Sequence, residues 1–145
     1  QLFAERLQAL GLAVNYPGLP EHPDHELMRE LHCPDYGCGG ILTLDMGTEE
    51  RANRLMDMLQ NDYRFGYMAV SLGYFDTLMS CSGSTTSSEM TAQDKAAAHI
   101  FPGLVRLSLG FTGTAEQRWR QLQSALARLG VVGEPVVRQP AEEVA

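Results

Sequence analysis

Lysine is almost missing from this chain: among 145 residues only Lys95 carries a side-chain amine. Its setting, Thr91-Ala92-Gln93-Asp94-Lys95-Ala96-Ala97-Ala98, is alanine-rich and helix-forming. Lys95 is therefore expected on a solvated helix surface, and lysine-based covalent chemistry has no shaped candidate. Cysteine is scarce too. The three cysteines are odd in number and scattered, which suits a reducing cytoplasm better than a disulfide scaffold. No apolar run approaches the roughly 20 residues of a membrane-spanning helix. No Gly-rich turn opens a helix as a phosphate cradle would. Positive charge is in the minority: the formal net charge is −7, dispersed rather than in runs. That argues against nucleic acid and anionic membrane surfaces as partners. There is no internal repeat, and the length fits one domain with a real core.

His22, His25, His32, Cys33 and Cys38 crowd one stretch, but they do not make a convincing metal site. No CxxC pair exists, and the His22–His25 pair straddles Pro23. No metal is expected. Cys81 lies between Ser80 and Ser82 with no histidine near in sequence, so it reads as a packed thiol and not a nucleophile.

The hydrophobic pattern alternates between the two periods. Residues 2–10 read as helix, with Phe3, Leu7 and Leu10 on one stripe but no capping residue ahead of them. A short strand follows over 12–16, then a helix over 24–32 with Leu27, Met28 and Leu31 on one face. Strands are expected at 39–46, 67–72, 77–80 and 103–109, and helices at 48–60, 91–99 and 114–129. The last helix has Thr114 and Gln117 as a capping pair, a stripe of Trp119, Leu122, Leu126 and Leu129, and Gly130 as its stop. Strands interleaved with one-sided helices give an α/β chain of the α+β type, a two-layer sandwich. The uncapped start suggests that residues 1–12 end a helix continuing from a missing N-terminal part. Residues 13–133 would form the domain, and 134–145 a polar, frayed tail.

One residue resists this pattern. Arg106 sits inside Gly103-Leu104-Val105-Arg106-Leu107-Ser108-Leu109-Gly110, otherwise an apolar strand closed by glycines. Its guanidinium cannot lose its charge, so it must reach water, a carboxylate or a bound anion. One reading is an edge-strand arginine turned to solvent or paired with a local acid. The other draws on Tyr67-Met68-Ala69-Val70, which ends at Ser71-Leu72-Gly73, and on the hydroxyl-rich run from Ser80 to Ser88. A strand end offering a hydroxyl and backbone N–H groups, with an arginine delivered beside it, would suit a small-molecule carboxylate.

The order and wording of these motifs resemble the family of pyridoxal-phosphate enzymes of cystathionine and methionine metabolism. The matching pieces are Val70-Ser71-Leu72-Gly73, Thr77-Leu78, Ser84-Thr85-Thr86 and the whole run Gly103–Gly110. Upstream, Val14-Asn15-Tyr16-Pro17-Gly18-Leu19-Pro20 with His22-Pro23, and the Gly-rich entry from Gly37 to Leu44, also match. The resemblance covers nearly the whole chain. It implies the C-terminal domain of a fold-type I enzyme, with a mostly antiparallel sheet and helices on one face. It implies that Arg106 binds the substrate's α-carboxylate, and that Ser71, Leu72 and Thr86 lie on the substrate side. It further implies pyridoxal 5'-phosphate in the parent enzyme, held by a missing N-terminal domain, and a homotetrameric whole enzyme. The residues of this chain offer nothing like the family's Ser-x-Thr-Lys cofactor site, so this part alone is expected to be inactive.

The resemblance also makes the Ser/Thr run at 82–88 an ordered site loop and not a linker. Cys81-Ser82 stands where many members have His-Pro, and Ser87 where they have a histidine. Val70 occupies a position often acidic in cystathionine-cleaving members. An apolar residue there resembles the methionine gamma-lyase type and suggests γ-elimination from methionine-like sulfur amino acids. A cystathionine synthase or lyase, or a homoserine sulfhydrylase, is the alternative within the family. A non-catalytic amino-acid-binding or interaction module is the alternative of another class.

Overall fold

The computed structural model describes residues 1–33, 35–82 and 89–133. The proposed tail 134–145 and Thr86 lie outside the described residues. Five helices and five strands follow the expected order: α1 Leu2–Ala9, β1 Val14–Asn15, α2 His25–Leu31, β2 Ile41–Asp45, α3 Glu49–Asn61, β3 Gly66–Met68, β4 Thr77–Cys81, α4 Ala92–Ala97, β5 Leu104–Ser108 and α5 Ala115–Arg128. The strands form one sheet in the order β1-β2-β5-β4-β3. All its pairings are antiparallel except β3 with β4.

Strand alternation decides which face is dry. Leu42 and Leu44 of β2, Val105 and Leu107 of β5, and Met79 and Cys81 of β4 point to one side and are buried there. Against them pack Phe3, Ala4 and Leu7 of α1, Ala52, Leu55, Met56 and Leu59 of α3, and Trp119, Leu122 and Leu126 of α5. Helical spacing puts each of these sets on a single stripe. Thr48 caps α3 by accepting from Arg51 N at 3.2 Å. Thr114 caps α5 by accepting from Gln117 N at 3.1 Å. Gly130, with φ +70, takes the left-handed position that ends α5. The result is the expected two-layer α+β sandwich, with the core between sheet and helices.

Two expectations need correction, and one helix has an open stripe. Arg106 is not on an edge: β5 is the middle strand, bonded to β2 and β4 on either side. The expected strand at 67–72 ends at Met68. Ala69 N still donates to Met79 O at 2.9 Å, but the chain then leaves the sheet, because β3 runs parallel to β4 and must return to start it. The apolar residues of α2 do not face the core. No residue of α2 is buried, and Leu27 and Leu31 are 53% and 74% exposed. Periodicity identifies a stripe and not what covers it.

Tyr16 anchors the segment between β1 and α2. Its ring is buried, and its hydroxyl donates to Gly39 O at 2.9 Å. Burial, helped by the nearby Cys38 and Glu5, raises its pKa above 10.0. The unfolded phenol ionises at about 10 while the folded one stays neutral. Its stabilising contribution is therefore complete below about pH 10 and declines as pH rises through 10 towards the raised folded value. Urea unfolding between pH 8 and 11 should show this decline, and Tyr16→Phe should make it shallower.

Candidate functional site

The face of the sheet opposite the helices carries the polar residues. On β5 the alternation that buries Val105 and Leu107 turns Arg106 and Ser108 to this open face. The register places Thr43 of β2 and Ser80 of β4 on either side of Arg106. Three polar residues thus stand in one row across the three inner strands.

Over this row passes the segment 69–76, the return connection between β3 and β4. It is tied down at two points. Arg106 Nη2 donates to the carbonyls of Val70 and Ser71, both at 3.0 Å. Gly73 N donates to Ser108 Oγ at 3.2 Å. The segment thereby crosses β4, whose open-face residues Leu78 and Ser80 are buried. Tyr67, Ala69, Leu72, Tyr74 and Leu78, with Ser71, line a cavity of about 430 Å³ under and beside it. Arg106 and Ser71 do converge, but through the Ser71 carbonyl. The sequence reading offered water, a carboxylate or an anion to the arginine; the structure gives it backbone oxygens.

The far end of the 69–76 segment is held by a second arginine. Arg118 Nη2 donates to Asp76 Oδ1 at 2.9 Å and to Thr112 Oγ1, and Nε donates to Thr112 O at 3.0 Å. Nη1 donates to Arg64 O at 2.7 Å, to Phe65 O at 3.2 Å and to Gln121 Oε1 at 3.3 Å. Arg118 therefore joins the residues just before β3, the end of the segment and the turn into α5. Asp76 is also fixed by accepting from Thr77 N at 2.9 Å and from Thr112 Oγ1 at 2.8 Å. Gly110 lets the two chains meet: a Cβ there would fall on the backbone of Phe75 and Asp76. Sequence reading missed both Arg118 and Asp76, because neither breaks its local pattern.

The open-face row holds an unusual set of atoms. Among the described residues, Thr43 Oγ1, Ser80 Oγ and Arg106 Nε are buried and lack a hydrogen-bond partner. Such groups are rare in folded proteins and cost about 1–3 kcal/mol each if left unsatisfied. Arg106 Nη1 makes no bond among the described residues. Ser71 and Leu72 are exposed on the segment above.

The histidines do not converge. His22 Nε2 bonds Asn15 Oδ1 at 2.6 Å, His25 Nδ1 bonds Pro17 O at 3.0 Å, and His32 Nδ1 meets the carbonyls of Met28 and Arg29. They fasten turns and the end of α2. Among the described residues no group of metal-ligating side chains is assembled. Cys81 is buried in the core, its thiol donating to Pro102 O at 3.3 Å.

The family model described as Cys/Met metabolism PLP-dependent enzyme matches residues 7–127. The chain belongs to this family. Methionine gamma-lyase of Arabidopsis thaliana is 57% identical over 129 residues, which are 89% of this chain and 29% of that protein. Among solved structures, cystathionine gamma-lyase from yeast superposes with a TM-score of 0.78 at 27% identity, covering 89% of this chain and 32% of that one. Cystathionine gamma-synthase from Xanthomonas oryzae pv. oryzae, in complex with cystathionine, gives 0.72 at 29% identity, covering 90% and 33%. The chain thus spans about a third or less of the relatives it matches. The fold is that of a part of the fold-type I PLP-dependent enzymes.

The family implies pyridoxal phosphate in the parent enzyme. The residues present do not fit it. Covalent attachment needs a lysine, and Lys95 lies on α4, a helix of six residues none of which is buried. The Arg106 row contains no amine. This chain's own residues therefore offer no place for covalent attachment of that cofactor.

Two outcomes are expected. Arg118→Met should destabilise the chain by about 3 kcal/mol, because it leaves Asp76, only 15% exposed, without its partner. Arg118→Lys should recover only a minor part, since one ammonium cannot span these acceptors; urea midpoints at constant slope measure both. Mixing the chain with pyridoxal phosphate and reducing with borohydride should give no stoichiometric adduct, which mass spectrometry reads directly.

Proposed function

We propose that this chain is the C-terminal, substrate-recognition domain of a pyridoxal-phosphate-dependent sulfur amino-acid lyase that acts on methionine-like substrates by γ-elimination. The observation that carries the reading is Arg106: a permanent cation on the middle strand, facing away from the core, brought against Val70 and Ser71 beside an apolar cavity. A guanidinium so placed suits the α-carboxylate of an amino acid, and the cavity lined by Tyr67, Leu72 and Leu78 suits an apolar thioether. Because Nη2 is committed to two carbonyls, the substrate carboxylate would meet Arg106 chiefly through Nη1. A two-pronged grip would require Nη2 to release one of them. Ser71, Leu72 and Thr86 belong to the substrate side in this reading.

When bound in the parent enzyme, the cofactor supplies an electron sink for carbanion chemistry. This chain's share is to hold and orient the substrate. The apolar Val70 and the similarity to methionine gamma-lyase support a methionine-like substrate. A cystathionine-handling enzyme is the second reading, supported by the likeness to the cystathionine complex. A homotetrameric, cytoplasmic parent accompanies either one.

In the parent enzyme, Arg106→Ala should weaken binding of amino acids with a free α-carboxylate by about 2–5 kcal/mol if the pair is desolvated. Arg106→Lys should restore part of this. A substrate amide, having no anion to lose, should be affected much less. Equal losses for acid and amide would mean that Arg106 serves the fold and not the substrate. Thiol release from methionine and from cystathionine, compared in one preparation, separates the two lyase readings.

A further inference from the structure

The segment 69–76 meets the run 106–112 in step, the two advancing in the same direction. Arg106 Nη2 donates to the carbonyls of Val70 and Ser71, both at 3.0 Å, and Gly73 N donates to Ser108 Oγ at 3.2 Å. Phe111 N then donates to Phe75 O at 2.9 Å, and Thr112 Oγ1 donates to Asp76 Oδ1 at 2.8 Å. Among these contacts of the described residues, Asp76 is the one place where full opposite charges meet. Arg118 Nη2 reaches the same Oδ1 at 2.9 Å, and each side chain is 15% exposed. Leu72, Gly73, Tyr74 and Phe75 are all that lie between Ser71 and Asp76. Consecutive Cα atoms stay about 3.8 Å apart, so a stretch pinned at so many points has little slack. Where Asp76 sits therefore governs where the Ser71 carbonyl meets Arg106. It also governs how Leu72 and Tyr74 stand against Leu78 across the cavity.

We propose that Asp76 and Arg118 are positioning residues for the substrate site: their ion pair fixes the end of the 69–76 segment and thereby sets the place of Ser71 and Leu72 against Arg106 and the cavity. Neither side chain of the pair touches Arg106, and neither lines the cavity. The pair acts through the segment and not on the ligand. Its geometry suits that task. Asp76 Oδ1 accepts from Thr77 N, Thr112 Oγ1 and Arg118 Nη2, which come from β4, the turn after β5 and α5. Three elements thus converge on one atom, and a carboxylate fixed from three sides holds its place whether or not a ligand is bound. This inference rests on the substrate reading of Arg106, but the placing of the segment stands apart from it.

The test uses the holoenzyme that carries this chain and has two arms. In the first, amide hydrogen exchange is read by mass spectrometry on peptides covering 69–76. Asp76→Ala should speed it by about 10-fold or more, the worth of one hydrogen bond to a charged group. Peptides from α3, packed on the other face of the sheet, should keep their rate. Asp76→Asn leaves an oxygen for the three bonds and should recover most of the slow exchange. If Asp76→Ala does not hold its fold, Thr112→Val takes its place; it removes one of the three donors and should speed exchange by about 3-fold. Unchanged exchange over 69–76, or an equal gain in α3, overturns the proposal.

The second arm measures steady-state kinetics on the same preparations. Asp76→Ala should raise KM for the amino acid by about 10-fold while kcat falls by less than about 3-fold, and Asp76→Asn should recover most of the KM. In an Arg106→Ala background, Asp76→Ala should raise KM no further, because the segment acts through its contact with Arg106. An equal further rise there would assign the pair to general stability and overturn the proposal. If Arg106→Ala raises KM and Asp76→Ala does not, the substrate reading stands and the positioning role falls. If Arg106→Ala itself leaves KM unchanged, the substrate reading fails, and the exchange arm still decides whether the pair places the segment.

Discussion

The guanidinium of Arg118 is the joint on which the open face depends. The segment 69–76 leaves β3 and must come back to begin β4 beside it, with no helix to carry it. A return this short is possible only because β3 has three residues, so the distance to recover is roughly 10 Å. The starts of the two parallel strands would otherwise be free to splay. Arg118 ties the carbonyls of Arg64 and Phe65, just before β3, to the carboxylate of Asp76, just before β4. The middle of the segment is thereby laid over β4, where Arg106 and Ser108 can catch it. One arginine fixes the end that enters β4, and the other meets the middle.

The two arginines have opposite fates for a physical reason. Arg118 has a carboxylate, four carbonyl or amide oxygens and a hydroxyl around it, so its charge is largely answered within the chain. Among the described residues Arg106 has two carbonyls, which accept hydrogen bonds without cancelling a full charge. A cation held by dipoles but not by an anion keeps its attraction for one. That difference, and not the mere presence of an arginine in a strand, is what the substrate reading proposed above rests on. The exposed apolar side chains around it, Tyr67, Val70, Leu72 and Phe75 among them, supply the non-polar surroundings in which such an attraction is strong.

Much of this was legible in the residues. Period-3.6 stripes at Leu55, Met56 and Leu59 and at Trp119, Leu122 and Leu126 located the helices and their buried faces, because those stripes meet the core. The Thr114–Gln117 pair and Gly130 marked the limits of α5 through local chemistry alone. Arg106 stood out because it interrupts an apolar strand. Strand order was not legible: nothing local in Leu104–Ser108 says that β2 and β4 will bracket it, since pairing joins residues far apart in sequence. For the same reason Thr43 and Ser80 looked like ordinary strand residues until register set them beside Arg106. The stripe of α2 gave the helix but not its surroundings, because an amphipathic pattern is the same whether a core or something else covers it. Thr86 lies beyond what the structure describes, so its place rests on the resemblance alone.

The strand order has one more effect. The outermost strands of the sheet are β1, with two residues, and β3, with three, while the five-residue strands β2, β4 and β5 all lie inside. Long edges invite another chain to add on, and short ones give it too few hydrogen bonds to hold. The sheet is therefore poorly suited to templating edge-to-edge aggregation, even though its open face displays many apolar side chains. On the substrate reading proposed above, a ligand would reach Arg106 across that face and not along an edge.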